Sequence, residues 1–143
     1  MAVFLVGADG SEGARRAAQY AARRARAEGA RLILAHIVDW SPYELLTPEE
    51  LSERPVEHRK EIADATSGIL QPLADELGGG DLGIELVVRH GHTSECLCAL
   101  AKERDVDQMF TGRRGRSLVA LLLFGSVSGS LVQMSPVPIT VVP

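Results

Sequence analysis

Short apolar runs, often β-branched, alternate along the chain with longer segments of helical periodicity. The runs predict five strands, at 2–8, 32–38, 84–89, 106–111 and 137–142. Between them, apolar positions three and four residues apart predict helices that begin near 11, 56, 94 and 126. This alternation predicts an α/β fold over 1–143: a single-domain, open and mostly parallel five-stranded sheet with helices on both faces.

Two of the predicted helices have distinctive patterns. The first has Ser11 as its N-cap, Gly29 as its C-cap, and a narrow face of alanines that permits close packing on a sheet. In the second, Pro72 is expected to kink the helix. The face expected to pack inward there consists of Ile62, Thr66, Ile69, Leu70, Leu73 and Leu77. Residues 39–54 are acidic and are interrupted by Pro42 and Pro48, with Pro55 just after them. They predict a surface loop with one or two helical turns.

Charge and composition narrow the classes of partner. With 15 basic and 19 acidic residues the net charge is −4, which argues against general nucleic-acid binding. No apolar run reaches the length of a membrane span and no cationic leader precedes the first strand, so we expect a cytoplasmic protein without membrane attachment. The two cysteines, Cys96 and Cys98, fit a reducing compartment.

Two loops at predicted strand ends carry the candidate chemistry. Asp9 and Ser11 follow the first strand, where they either face a ligand or only cap the helix. After the fourth strand the pattern G-x2-G-x9-G-S runs from Gly112 to Ser126. Glycine has no Cβ, so its backbone can approach a polyphosphate closely, and the N–H groups of a following helix N-terminus can bind it. Glycines also occur in ordinary turns. The nearby cations of Arg113, Arg114 and Arg116 favour an anion over a merely solvated charge run.

The usual nucleotide motifs do not occur: there is no Gly-Lys-Ser/Thr triplet and no G-x-G-x-x-G after the first strand. The whole chain instead resembles the universal stress protein family, in its ATP-binding branch. The residues that carry the resemblance are Val6-Gly7-Ala8-Asp9-Gly10-Ser11-Glu12, His36-Ile37-Val38, Gly112-Arg113-Arg114-Gly115-Arg116-Ser117, Gly125-Ser126-Val127 and Val137-Pro138-Ile139-Thr140-Val141-Val142-Pro143.

The resemblance implies a Rossmann-like fold of the adenine nucleotide alpha hydrolase-like kind, with strand order 3-2-1-4-5. It implies that ATP lies between the ends of strands one and four. Asp9 would meet the ribose hydroxyls, and the backbone of Ile37 would contact adenine, with Ala8 nearby. Gly112 would lie by the ribose and α-phosphate. The remaining phosphates would be held by Gly115, Gly125, Ser126, Val127 and Ser128, with Arg116 as a further candidate.

Some residues depart from the family's pattern or suggest other chemistry. Arg113 replaces a small hydroxyl residue and could clash with the phosphate path or add charge to it, while Gln108 replaces a strand aliphatic. His36 is interpreted as a strand-end histidine with hydrogen-bonded ring nitrogens. A zinc site at His90, His92, Cys96 and Cys98 is disfavoured, because on a helix the two cysteines point about 200° apart.

The leading hypothesis is a homodimeric, ATP-binding stress or signalling regulator that recognises an unknown protein partner. The dimer implied by the family pairs the strands at 137–142. Mg²⁺ could accompany the nucleotide, held by the phosphates, and AMP or cyclic AMP are alternatives to ATP. Hydrolysis is expected to be slow or absent, since no catalytic constellation emerges. The alternatives are a dimeric interaction module that binds no nucleotide, and a nucleotide-using enzyme of the adenylyl-transferring or PP-loop type.

Overall fold

Five parallel strands form a single sheet in the order β3-β2-β1-β4-β5. The computed structural model describes residues 1–39, 54–78, 80–114 and 126–143. The strands are β1 (Val3–Gly7), β2 (Arg31–Asp39), β3 (Ile84–Gly91), β4 (Gln108–Gly112) and β5 (Ile139–Val142). The α/β class and the strand order are confirmed. The helical turns expected between 39 and 54 lie outside the described residues.

Helices cover both faces of this sheet. They are α1 (Glu12–Glu28), α2 (Arg54–Ala65), a π-helical segment (Thr66–Leu70), α3 (Gln71–Glu76), α4 (Thr93–Glu103) and α5 (Ser126–Met134). One core cluster joins α1 and the π and α3 segments to the sheet, and the other joins α4 and α5 to its opposite face. The chain runs outward from β1 to β3 and then crosses back to β4, so the strand order reverses between β1 and β4. A crevice for a ligand is expected at the carboxyl ends of those two strands.

Helix α1 lies close to the sheet because its inner face is made of alanine. Ala17, Ala18 and Ala21 have no exposed surface. The Ala14 N–H donates to Ser11 Oγ at 3.1 Å, and Gly29 ends the helix with a left-handed φ of 68°. Both predicted caps are confirmed.

The predicted kink near Pro72 takes the form of a π-helical turn. The Gln71 N–H donates to the Thr66 carbonyl, five residues back, just before the proline that has no N–H to donate. Leu70 at the end of this turn and Leu73 after it are buried, as predicted, but upstream of the turn Ile62 is 40% exposed. The expectation that Ile62 packs inward is wrong, because the additional residue in the wide turn rotates the preceding helix relative to the sheet.

Gln108, which departs from the family's pattern, is accommodated at the start of β4. Its Nε2 donates to Thr140 Oγ1 on β5 at 2.6 Å. The polar side chain therefore joins two neighbouring strands, and the half-buried position does not leave an amide without a partner.

We predict that Ala18→Leu destabilises the fold by roughly 1–3 kcal/mol, because the larger side chain has no space between α1 and the sheet. The matched control is Ala27→Leu, the same change at an exposed position of the same helix. Urea unfolding of both variants measures the difference. Equal stabilities would contradict the close approach of α1.

Candidate functional site

The turn that follows β1 is shaped by its own polar side chains. Asp9 Oδ1 accepts a hydrogen bond from the Ser11 N–H at 2.9 Å, and Gly10 has a φ of 82° that favours glycine. The Ser11 hydroxyl then caps α1. The half-buried Asp9 carboxylate is thereby held at the carboxyl edge of the sheet, beside the N-terminus of α1.

Ala8 ties this turn to the neighbouring strand through both of its main-chain polar groups. Its N–H donates to the Ala35 carbonyl at 2.8 Å, and its carbonyl lies 2.7 Å from Nδ1 of His36. The prediction that a ring nitrogen of His36 is hydrogen-bonded is confirmed for Nδ1. The last residue pair between β1 and β2 joins Gly7 to Ala35, so Ile37 lies beyond the end of β1.

The end of β4 meets the first turn of α1 main chain to main chain. A Cβ on Gly112 would lie 2.7 Å from the carbonyl carbon of Gly13 and 3.1 Å from the Ala14 nitrogen. A Cβ on Gly13 would in turn collide with the Arg114 carbonyl oxygen. Two glycines therefore permit a contact that brings the loop after β4 against the helix that begins just after Asp9.

Arg113 fixes the start of this loop through its main chain. Its N–H donates to the Val142 carbonyl at 2.8 Å, at the end of β5. Its carbonyl accepts a hydrogen bond from Ser128 Oγ at 2.8 Å, in the first turns of α5. The Ser128 side chain is directed inward, since the residue is only 2% exposed. The loop is thus attached to α1, β5 and α5 within three residues.

The predicted cationic cluster is accessible where it is described. Arg113 and Arg114 are exposed, and within the described ranges neither guanidinium has an ion pair or a hydrogen bond. The two alternatives for Arg113, a clash with the phosphate path or an added charge beside it, stay predictions. Both cations are available to an anion at this edge.

The other predicted site residues divide into two groups. Gly115, Arg116 and Gly125 lie outside the described residues, so the middle of the predicted phosphate loop stays a prediction. Ser126 begins α5, and Val127 is half-buried against the core cluster of α4. The described residues therefore bring Ala8, Asp9 and Ile37 to the same edge of the sheet as Gly112 and Ser128.

The alternative metal site has structural partners of other kinds. His90 Nε2 lies 2.7 Å from Glu61 Oε2, and Cys96 Sγ donates to the His90 carbonyl at 3.7 Å. Burial raises the pKa of the Cys96 and Cys98 thiols, which disfavours their thiolate forms. In the described part of the chain no three His, Cys, Asp or Glu side chains are grouped to hold a metal ion.

A small cavity lies behind the Asp9 turn, between α1 and the π-helical segment. Its volume is about 210 Å³, and its lining includes Gly10, Ile69 and Pro72. An ion pair between Arg15 and Glu76, at 2.5 Å, lies at its wall and lowers the pKa of the Glu76 carboxyl through hydrogen bonding. Ligand pockets are commonly about 300–1,000 Å³, so this cavity is smaller than a nucleotide needs.

The model of the universal stress protein family matches residues 1–143. The chain belongs to the universal stress protein family. It is 32% identical, over 97% of its length and 96% of the relative's, to a universal stress protein from Thermus aquaticus, described as lying in the QAH/OAS sulfhydrylase 3′ region.

Solved structures of other universal stress proteins share the fold. Universal stress protein UspA from Lactobacillus plantarum superposes with a TM-score of 0.84 at 21% identity, covering 99% of this chain and 97% of that one. A universal stress protein whose crystal structure is a complex with cAMP superposes with a TM-score of 0.68 at 25% identity, covering 99% and 95%. These likenesses agree with the strand order found here.

Gly13 is the site residue of this universal stress protein that the sequence reasoning missed. A glycine in the first turn of an otherwise alanine-rich helix is unfavourable by itself, by roughly 0.5–1 kcal/mol relative to alanine. That local anomaly was the available signal. It indicates a tertiary reason for glycine, and the reason is the approach of the 112–114 backbone.

We predict that Gly13→Ala destabilises the protein by roughly 1–3 kcal/mol, because the new methyl group meets a backbone oxygen that cannot rotate away. Gly68→Ala is the matched control: nothing lies within 4 Å of a Cβ there, and we expect it to be neutral or stabilising by up to about 1 kcal/mol. Chemical denaturation measures both. A tolerated Gly13→Ala would argue against the main-chain contact.

Proposed function

We propose that this universal stress protein binds ATP in the crevice at the carboxyl ends of β1 and β4 and acts as a nucleotide-dependent stress or signalling regulator. One observation carries the proposal. The Asp9 turn, the end of β2 and the loop from Gly112 to Arg114 are tied together at one edge of the sheet by contacts through Ala8 and Gly13.

The chemistry at this edge suits the parts of an adenosine phosphate. The Asp9 carboxylate can accept hydrogen bonds from ribose hydroxyls, and the main-chain N–H and carbonyl of Ile37 are the proposed partners of the base, with Ala8 nearby. Arg113 and Arg114 supply cations for the phosphates, and the N-terminus of α5 adds main-chain donors. The phosphate contacts proposed from the family resemblance are Gly112, Gly115, Arg116, Gly125, Ser126, Val127 and Ser128. Because the Ser128 hydroxyl donates to Arg113, its contribution would be its N–H.

The class of nucleotide is supported by one relative. The universal stress protein crystallised with cAMP is 25% identical to this chain over nearly its whole length. ATP is our preferred ligand because the exposed guanidinium groups of Arg113 and Arg114 and the main-chain N–H groups at the start of α5 could bind more than one phosphate. AMP and cyclic AMP are the competing ligands. Mg²⁺ would be held mostly by phosphate oxygens rather than by the protein.

Binding, rather than turnover, is the proposed output. Phosphoryl transfer needs a positioned water and groups that stabilise the transition state. Asp9 lies at this edge, but its proposed partner is the ribose rather than a water molecule. We therefore expect hydrolysis to be slow, and the regulatory signal to be the occupied or empty state of the site, read by a protein partner.

We predict that Asp9→Asn weakens ATP binding about tenfold or more, since hydrogen bonds to a charged acceptor are each worth about 1.5–3 kcal/mol. The amide oxygen can still accept from Ser11, so the turn should persist. The control Asp81→Asn lies before β3, at the amino ends of the strands, where the Asp81 carboxylate pairs with Arg26 on the surface. Isothermal titration with ATP, AMP and cyclic AMP compares the three proteins.

The second candidate function is a protein-interaction module without nucleotide, favoured by the exposed Arg113 and Arg114, which could contact an acidic partner. The titration with Gly115→Val, intended to block the approach of phosphates, separates the two candidates. Loss of binding in this variant supports the nucleotide site. Failure of both the natural protein and the variant to bind any adenine nucleotide would favour the interaction module.

We further propose that the protein is a homodimer paired through residues 137–142. The two edge strands, β3 and β5, differ in charge, and this difference favours pairing through β5. Edge strand β3 is flanked by charged pairs, Arg104 with Glu85 and Arg89 with Glu103, which discourage strand addition. The half-exposed strand β5 carries Ile139, Thr140, Val141 and Val142, without a charge. Its outer edge is therefore the one suited to a second copy.

We predict that Val141→Pro produces a monomer. The Met109 N–H donates to the Pro138 carbonyl and the Arg113 N–H to that of Val142, so by alternation the main chain of Val141 faces the outer edge. Proline there removes an outward N–H and spares the bonds to β4. Sedimentation equilibrium measures the mass. In the control Thr140→Pro the missing N–H faces β4. We expect this variant to lower the free energy of unfolding by at least about 1 kcal/mol.

The cytoplasm is the proposed location. Among the described residues, none of the helices combines the length and apolar content needed to cross a bilayer. Both cysteines are free thiols, which agrees with a reducing compartment.

A further inference from the structure

The hydrogen-bond ladder between β1 and β2 ends in an unusual way. In a parallel pair, the N–H of a residue donates to a carbonyl of the neighbouring strand. The carbonyl of the same residue accepts from the N–H that lies two residues further along that neighbouring strand. The Ala8 N–H donates to the Ala35 carbonyl at 2.8 Å. The regular continuation would be a hydrogen bond from the Ile37 N–H to the Ala8 carbonyl.

The side chain of His36 occupies that carbonyl instead. Its Nδ1 lies 2.7 Å from the Ala8 oxygen, and because a carbonyl can only accept, the proton is on Nδ1. Within the described ranges the Ile37 N–H makes no hydrogen bond to Ala8. The imidazole therefore satisfies an acceptor that the main chain would otherwise satisfy.

The consequence falls on the polar groups of Ile37. Main-chain groups of alternate strand residues point to the same side, and the Ala35 carbonyl points to β1. The N–H and the carbonyl of Ile37 therefore also point to the β1 side, just beyond the last residue pair of β1 and β2. They are presented together at the edge where the Asp9 turn begins.

We propose that His36 is the positioning residue that keeps the main chain of Ile37 available to a purine base and so sets the preference for adenine. This inference rests on the proposed nucleotide binding. A neighbouring N–H donor and carbonyl acceptor match the N1 acceptor and the 6-amino donor of adenine. They mismatch guanine, which presents an N1–H donor and a 6-oxo acceptor.

The test uses two substitutions of His36, one that keeps a hydrogen-bond donor to the Ala8 carbonyl and one that removes it. In His36→Asn the amide nitrogen stands at the same bond distance from the backbone as Nδ1 and can still donate to Ala8. In His36→Leu that donor is lost and the Ile37 N–H is free to complete the ladder. Should the leucine variant not fold, His36→Gln replaces it, since its amide is one bond too long.

The first measurement needs no nucleotide. Amide hydrogen exchange of Ile37, followed by NMR in the empty protein, should slow at least tenfold in His36→Leu relative to the natural protein and His36→Asn. The second measurement is the affinity for ATP and for 1-deaza-ATP, which lacks the N1 acceptor. One net hydrogen bond corresponds to about a five- to tenfold preference for ATP. We expect this preference in the natural protein and His36→Asn, and its loss in His36→Leu.

The outcomes separate this inference from the proposed function. If the natural protein binds no adenine nucleotide, the proposed function fails and the preference for adenine fails with it. If the natural protein binds ATP but all variants share its preference over 1-deaza-ATP, or Ile37 exchanges equally fast in all, the inference alone is overturned. Loss of ATP binding in His36→Asn equal to that in His36→Leu would also overturn it, because the retained donor should rescue the site.

Discussion

At the start of α1 two main chains touch, and no residue larger than glycine fits between them. The contact between Gly13 and Gly112 is possible because the alanine face of α1 lets the helix lie close to the sheet. Atoms of the backbone cannot rotate out of each other's way as side chains can. A rigid contact therefore fixes the position of the loop after β4 relative to the Asp9 turn. These two segments form part of the candidate site, so the contact also fixes its geometry.

The elements of the fold follow from the sequence because their causes are local. Apolar runs, the Ser11 and Gly29 caps and the alanine periodicity all act within a few residues, and the strands and helices appear where these patterns predict them. The strand order followed from the family resemblance rather than from the pattern. The orientation of Ile62 was not predictable from a 3.6-residue period, because the π turn at 66–70 breaks the period without a warning in residue type.

The candidate site was predictable in part. The resemblance supplied Asp9 and Ile37, and the described residues put both at the expected edge. What it could not supply are the contacts between distant segments: the imidazole of His36 on Ala8, the Ser128 hydroxyl on Arg113, and the glycine of α1 beneath Gly112. None of these partners is close in sequence, so no spacing rule detects them, and only Gly13 was anomalous for its local environment.

The unequal edges of the sheet limit what kind of assembly can grow. A strand that pairs with its own copy across a two-fold axis makes a closed, isologous contact. If β5 pairs in that way, the remaining edge strand of the described sheet is β3, which is flanked by the ion pairs of Glu85 and Arg89. A continuous sheet of ten strands would then have charged margins at both ends, so filament formation by further strand addition is suppressed.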